Sequence, residues 1–214
     1  MSETLPIETI MSIAPVIPVI TIDDVDAAIP MAEALVRGGL LALEVTLRTP
    51  DALEAIRRIA DAVPTAVPGA GTVTRAAQFA DVVEAGARFA VSPGATDELL
   101  DAAAALSLPY LPGAATASEV MHLAARGIMH QKFFPAEPAG GVAGLKALSA
   151  PLPDIRFCPT GGVGPANAPD YLALPNVLCV GGSWVVPAEA IAMRDWPRLE
   201  RLARDAAALR SPSA

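Results

Sequence analysis

Eight times along this chain a short apolar run is followed by a helix-patterned segment, with only a few residues between them. The runs fall at residues 15–22, 40–46, 66–72, 88–92, 109–112, 128–134, 155–158 and 177–180. The intervening helical patterns span 23–37, 51–63, 74–85, 96–106, 116–126, 142–149, 166–173 and 189–209, the last with a break expected at Trp196-Pro197. Asp23 or Asp24 can cap the first of these helices, Gly38-Gly39 ends it, Pro50 stands near the start of the next, and Gly86 and Gly127 close two others. Runs that are apolar without a polar alternation suit strands covered on both faces, hence a parallel sheet clothed by helices. Eight such units predict an α/β fold of the closed (β/α)8 TIM-barrel type, one domain over residues 1–214, with the amphipathic segment 7–13 as a short N-terminal helix at one end. An open, doubly wound sheet is the competing arrangement, but no GxGxxG follows the first strand. The last residues, 211–214, are expected to fray.

Composition agrees with a large aliphatic core. Hydrophobic residues make up 53% of the chain while aromatics make up only 4%, and mean hydropathy is +0.45. No uninterrupted apolar run reaches about 18 residues, so a soluble protein without membrane segments is predicted. Glu3 and Glu8, with no basic stretch before Ile10, argue against a signal peptide. Cys158 and Cys179 both sit in apolar runs and read as buried free thiols, which suits a reducing cytoplasm. A net charge of −8 without a basic cluster argues against a nucleic-acid partner. An anionic ligand would need a site built locally from backbone amides, helix N-termini and single arginines.

In a barrel, chemistry is expected at the C-terminal ends of the strands. Few polar residues fall there. The second strand carries Glu44, followed by Thr46 and Arg48. The third ends in Gly69-Ala70-Gly71-Thr72, the fourth in Ser92-Pro93-Gly94, the fifth in Pro112-Gly113. The sixth carries Lys132 and then Phe134, the seventh ends in Pro159-Thr160-Gly161-Gly162, and the eighth in Gly181-Gly182-Ser183. Leu43 and Val45 alternate outward, which points Glu44 inward. Arg48, beside it, is placed to hold a substrate carboxylate, although alone it reads equally well as a surface residue. Glycines after the last two strands let backbone amides approach an oxyanion, and these two loops form the recurrent phosphate site of such barrels.

Lysine is rare in this chain: Lys132 and Lys146 stand against thirteen arginines. Where any cation would serve, the sequence uses arginine. A lysine among Phe133, Phe134 and Pro135 is thus a candidate for what arginine cannot do, namely lose a proton and attack as an amine. Taken alone it reads more readily as a strand-end lysine reaching solvent. An ordinary lysine has a pKa of about 10.4, so roughly one in 2,500 is neutral at pH 7. A working amine therefore needs about 4 kcal/mol of penalty on its charged form. Burial and Arg48 act in that direction; Glu44 acts against it. His122 reads as a packing or surface residue. His130 shares the strand parity of Lys132 and is expected about 6.6 Å below it. No His, Asp or Glu set has metal-ligand spacing, and no metal is expected.

At these residues the sequence closely resembles the bacterial 2-keto-3-deoxy-6-phosphogluconate aldolases, often bifunctional with 4-hydroxy-2-oxoglutarate aldolase. The segments that carry the likeness are LEVTLRT at 43–49, GAGTV at 69–73, SPG at 92–94, KFFPAE at 132–137, RFCPTGG at 156–162 and LCVGGSWVVPA at 178–188. The resemblance implies a class I aldolase of the Entner–Doudoroff pathway on a (β/α)8 barrel, assembled as a homotrimer, cytoplasmic and without a cofactor. It implies Lys132 as Schiff-base lysine and Glu44 as general acid/base. Arg48, Thr72 and Thr160 match positions that hold the pyruvate part of the substrate, Pro93 and Phe134 match pocket walls, and Gly161, Gly162, Gly181, Gly182 and Ser183 match the phosphate site. The substrate implied is a small phosphorylated 2-keto acid. Pro68, Ala95, Ala114-Ala115 and His130-Gln131 differ from the familiar pattern. Two other readings stay open at this point: a sister aldolase for the galactonate epimer, and a non-covalent phosphosugar isomerase or binding barrel that would use the glycine loops but not Lys132.

Overall fold

The computed structural model describes residues 5–209; the expected fraying at 211–214 lies outside them. Among the described residues nine short parallel strands form the sheet: β1 Val16–Ile20, β2 Ala42–Thr46, β3 Val67–Gly71, β4 Phe89–Val91, β5 Tyr110–Leu111, β6 Gly113–Ala114, β7 His130–Phe133, β8 Arg156–Pro159 and β9 Val180–Gly182. Ten helices accompany them: α1 Ile7–Ser12, α2 Ala28–Arg37, α3 Ala52–Ala62, α4 Gln78–Glu84, α5 Asp97–Ala105, α6 Ala117–Ala125, α7 Gly141–Ser149, α8 Ala168–Leu172, α9 Ala188–Ala192 and α10 Trp196–Ala207. Side-chain caps mark the starts of some of them. Thr96 accepts from the Leu99 amide before α5, and Thr116 and Glu119 form a reciprocal capping box before α6.

The sheet is strongly curled. One ladder runs β5-β4-β3-β2-β1-β9 and a second runs β6-β7-β8, with isolated parallel bridges from Phe157 to Val177 and from Thr160 to Gly181. The expected fifth strand is divided at Pro112. Tyr110 and Leu111 pair with β4, whereas Gly113 and Ala114 pair with β7, and the Pro112 carbonyl accepts from the Lys132 amide at 2.8 Å. Proline has no N–H to give a ladder, so the chain can change partners there.

Strand parity sorts the side chains into two apolar layers. Leu43, Val45, Ala70, Ala90, Phe133, Phe157 and Val180 face outward into the core shared with the helices. Ile17, Ala42, Val67, Phe89, Val91, Leu111, Cys158 and Cys179 line the inside of the curl, where Ile10 and Met11 of α1 pack against them. The two cysteines are free and buried, as expected. Phe89 is fully buried, and a β-carbon on neighbouring Gly69 would run into its ring. Large and small residues thus alternate across the narrow interior.

Several boundaries differ from the sequence reading, two of them with a clear cause. The eighth strand forms at Val180–Gly182 rather than 177–180, because Val177 makes only the single bridge to Phe157. The final break precedes Trp196-Pro197: Arg194 adopts φ 54°, Asp195 caps the Arg198 amide at 3.0 Å, and Pro197 sits in the first turn of α10. Proline there starts a helix without interrupting one. Among the described residues no helix is long and apolar enough to cross a membrane.

Because Phe89 fills the inside of the curl with no room to relax, Phe89→Ala is expected to lose about 3–5 kcal/mol of stability. Urea unfolding with an unchanged m value measures it.

Candidate active site

Glu44 and Lys132 meet inside the C-terminal end of the curl. Glu44 lies on β2, with Leu43 and Val45 turned outward, and Lys132 on β7, with Gln131 and Phe133 turned outward. The lysine is 5% exposed and the glutamate 3%, and Lys132 Nζ donates to Glu44 Oε1 at 3.1 Å. The register Gly113↔Lys132↔Cys158 fixes the lysine backbone from both sides. Its Nζ also stands 5.4 Å from the centre of the Phe134 ring, a cation–π arrangement. A primary amine, a carboxylate and little water make a site that can form an imine and move protons beside it.

The neighbouring strand ends make room for this pair. A β-carbon on Gly71 would stand 2.6 Å from Glu44 Cγ, so only glycine leaves the carboxylate its place. The next residue, Thr72, takes φ 61°, a costly conformation for a β-branched side chain and one that concentrates at functional sites. Thr160 is buried at the end of β8, and Gly181 of β9 lies flush against its hydroxyl. Ser92 donates to the Gly94 carbonyl at 2.5 Å and shares a 2.6 Å hydrogen bond with Tyr110, whose phenol burial pushes up to about 12. That pair shapes the loop bearing exposed Pro93.

Arg48 is at the same strand end but is exposed, in the turn after β2, and bonds no described residue through its guanidinium. The sequence reading placed it beside Glu44; in the structure the hydrogen-bond partner of that carboxylate is Lys132.

The glycine loops lie next to one another, joined by the Thr160–Gly181 bridge. Gly161 and Gly162 adopt φ 102° and 81°. Among the described residues, the amides of Gly162, Val163, Ser183 and Trp184 have no hydrogen-bond acceptor. Free amides of this kind form an anion-binding concavity. Two residues the sequence reading passed over shape it. Asn167 accepts from the Gly164 amide at 2.7 Å and donates to the Gly162 carbonyl at 3.1 Å. Glu137 lies against Gly162 and receives a hydrogen bond from Tyr171. Asn167, an Asx-type residue just before α8, carried a legible signal; the partnership of Glu137 with a tyrosine 34 residues away did not. A cavity of about 480 Å3 lies elsewhere, around Pro68, Arg88 and Pro109 at the opposite strand ends.

His130 is half-buried one layer below the lysine, 4.0 Å from Glu8 of α1. Burial pushes its pKa below the ordinary 6.5; Glu8 opposes that shift and Arg156 adds to it. The unfolded chain therefore holds the proton more tightly than the folded one. The stability from neutral His130 is complete above about pH 6.5 and is lost as pH falls through the folded value. Below about pH 6.5 His130→Gln is expected to flatten the acid fall in unfolding free energy, read from urea titrations at each pH.

The comparisons with known proteins agree with this arrangement. Residues 7–202 match the family model for KDPG and KHG aldolase. The KHG/KDPG aldolase of Escherichia coli K12 is 53% identical over 199 residues, 93% of either chain. A KDPG aldolase structure from Legionella pneumophila, holding pyruvate captured at low pH as a covalent carbinolamine intermediate, superposes with a TM-score of 0.93 at 48% identity, covering 96% of this chain and 100% of that one. The 2-keto-3-deoxy-6-phosphogluconate aldolase of Zymomonas mobilis ZM4 with 3-phosphoglycerate gives a TM-score of 0.93 at 48% identity, covering 98% and 99%. The chain belongs to the KDPG and KHG aldolase family.

Proposed function

We propose that this protein is a class I aldolase that cleaves 2-keto-3-deoxy-6-phosphogluconate to pyruvate and glyceraldehyde 3-phosphate, and 4-hydroxy-2-oxoglutarate to pyruvate and glyoxylate. The observation that carries the proposal is the buried Lys132–Glu44 pair, 3.1 Å apart. Lys132 Nζ attacks the C2 carbonyl carbon, and Glu44 assists loss of the resulting hydroxyl as water, leaving an iminium. Glu44, directly or through water, takes the C4 hydroxyl proton. The C3–C4 bond then breaks, its electron pair passes into the iminium as an enamine, and the aldehyde leaves. Protonation of C3 and attack of water on the iminium release pyruvate and restore the amine. The carbinolamine trapped in the Legionella relative is the first intermediate of such a sequence.

Arg48, Thr72 and Thr160 are assigned to the pyruvate carboxylate end, Pro93 and Phe134 to the pocket walls, and Gly161, Gly162, Gly181, Gly182 and Ser183 to the phosphate. The free amides of both glycine loops support the last assignment, as does the phosphorylated acid in the Zymomonas relative. An exposed Arg48 at the mouth fits a side chain that folds onto a carboxylate when substrate arrives. We read the curled sheet as a single-domain (β/α)8 barrel in which residues 110–114 count as one strand position bent at Pro112; the bridges between β8 and β9 support closure. Assembly as a homotrimer rests on the family likeness, and a cytoplasmic setting on that likeness together with the two free thiols.

Borohydride reduction in the presence of pyruvate is expected to add a reduced pyruvyl group to Lys132, seen by peptide mass; an unmodified peptide would end the covalent mechanism. Lys132→Ala should abolish turnover. Ser183→Ala should raise KM for the phosphorylated substrate more than for 4-hydroxy-2-oxoglutarate, in a pyruvate-release assay; equal losses would remove Ser183 from the phosphate site.

A further inference from the structure

The mechanism uses Lys132 and Glu44 and leaves a second carboxylate contact, made by a buried tyrosine, unexplained. Tyr171 on α8 is completely buried, yet its hydroxyl is not spent on a backbone carbonyl; it donates to Glu137 Oε1 in the segment after β7. Burial first, and then this hydrogen bond and the Glu137 charge, push the phenol well above its ordinary range, so it stays a donor. The rest of Glu137 is bound to the loop after β8. Its amide donates to the Gly161 carbonyl at 3.0 Å, and the Ala136 amide donates to the Thr160 carbonyl at 2.8 Å. A β-carbon on Gly162 would stand 2.6 Å from Glu137 Cγ and 2.8 Å from its Cβ, so the glutamate stem lies directly on the glycine. Asn167 holds the other flank of the same loop through Gly162 and Gly164.

We propose that Tyr171 and Glu137 are a positioning pair that holds Gly161 and Gly162 in their left-handed conformation, and so sets the preference for a phosphorylated over an unphosphorylated substrate. This rests on the phosphate assignment above. Neither residue touches the reacting atoms. Glu137 carries negative charge beside an anion loop, where an electrostatic role would weaken phosphate binding; its use there is mechanical. Two consecutive glycines with positive φ have many alternative conformations. A loop free to sample them presents its amides to a phosphate only part of the time, and the apparent affinity falls by that fraction. The 4-hydroxy-2-oxoglutarate molecule has no phosphate and does not need the loop.

The test compares kcat and KM for both substrates in Tyr171→Phe, Glu137→Gln and Ser183→Ala, with thermal unfolding alongside. Tyr171→Phe, which removes only the hydroxyl, should raise KM for 2-keto-3-deoxy-6-phosphogluconate about tenfold and leave the values for 4-hydroxy-2-oxoglutarate within about twofold. Glu137→Gln keeps an acceptor for the phenol and should stay near the wild type on both. Losses shared equally by the two substrates, or no change in Tyr171→Phe while Ser183→Ala remains selective, overturn the positioning role and leave the phosphate assignment standing. If Ser183→Ala also fails to discriminate, the phosphate assignment itself falls and takes the pair with it.

Discussion

An amine and a carboxylate 3.1 Å apart, almost cut off from water, set the terms for the rest of this molecule. Each ion loses several kcal/mol of hydration on entering such a place, and only good geometry returns it. Attraction to the other ion and to the face of Phe134 supplies that return. The arrangement holds only if the floor beneath is dry. Ile17, Ala42, Val67, Phe89 and Leu111 provide the floor, and Ile10 and Met11 of α1 close it from below. The apolar interior is thus part of the chemical apparatus: it keeps the dielectric low where charge must form and disappear.

Space is the second constraint. A curled sheet of short strands has a narrow inside, and each bulky group there faces a residue with no side chain. Glu44 faces Gly71, Phe89 faces Gly69, and Thr160 faces Gly181. The glycines at the strand ends therefore serve two ends: some free the backbone to bend, as Gly161 and Gly162 do, and others only vacate volume. Thr72 marks the contrast, being held at positive φ where glycine would sit without strain.

Most of this was legible in the sequence. The eight-fold alternation located every strand to within a few residues, and parity alone sent Glu44 and Lys132 to the same side. The scarcity of lysine singled out Lys132, which the structure buries against Glu44. The misreadings have physical causes. Pro112 divides a strand because it has no N–H to give a ladder, and the two halves then pair with different neighbours. The link from Tyr171 to Glu137 spans 34 residues and has no periodicity to betray it.

The two members of the ion pair are 88 residues apart. When β2 emerges during synthesis, β7 does not yet exist, and a lone carboxylate cannot be enclosed in an apolar interior without heavy cost. Until Lys132 arrives, the early strands either leave the Glu44 side of the curl open to water or hold its carboxyl neutral. Closing the fold and completing the reactive centre are one event, so a partly assembled chain is also an inert one.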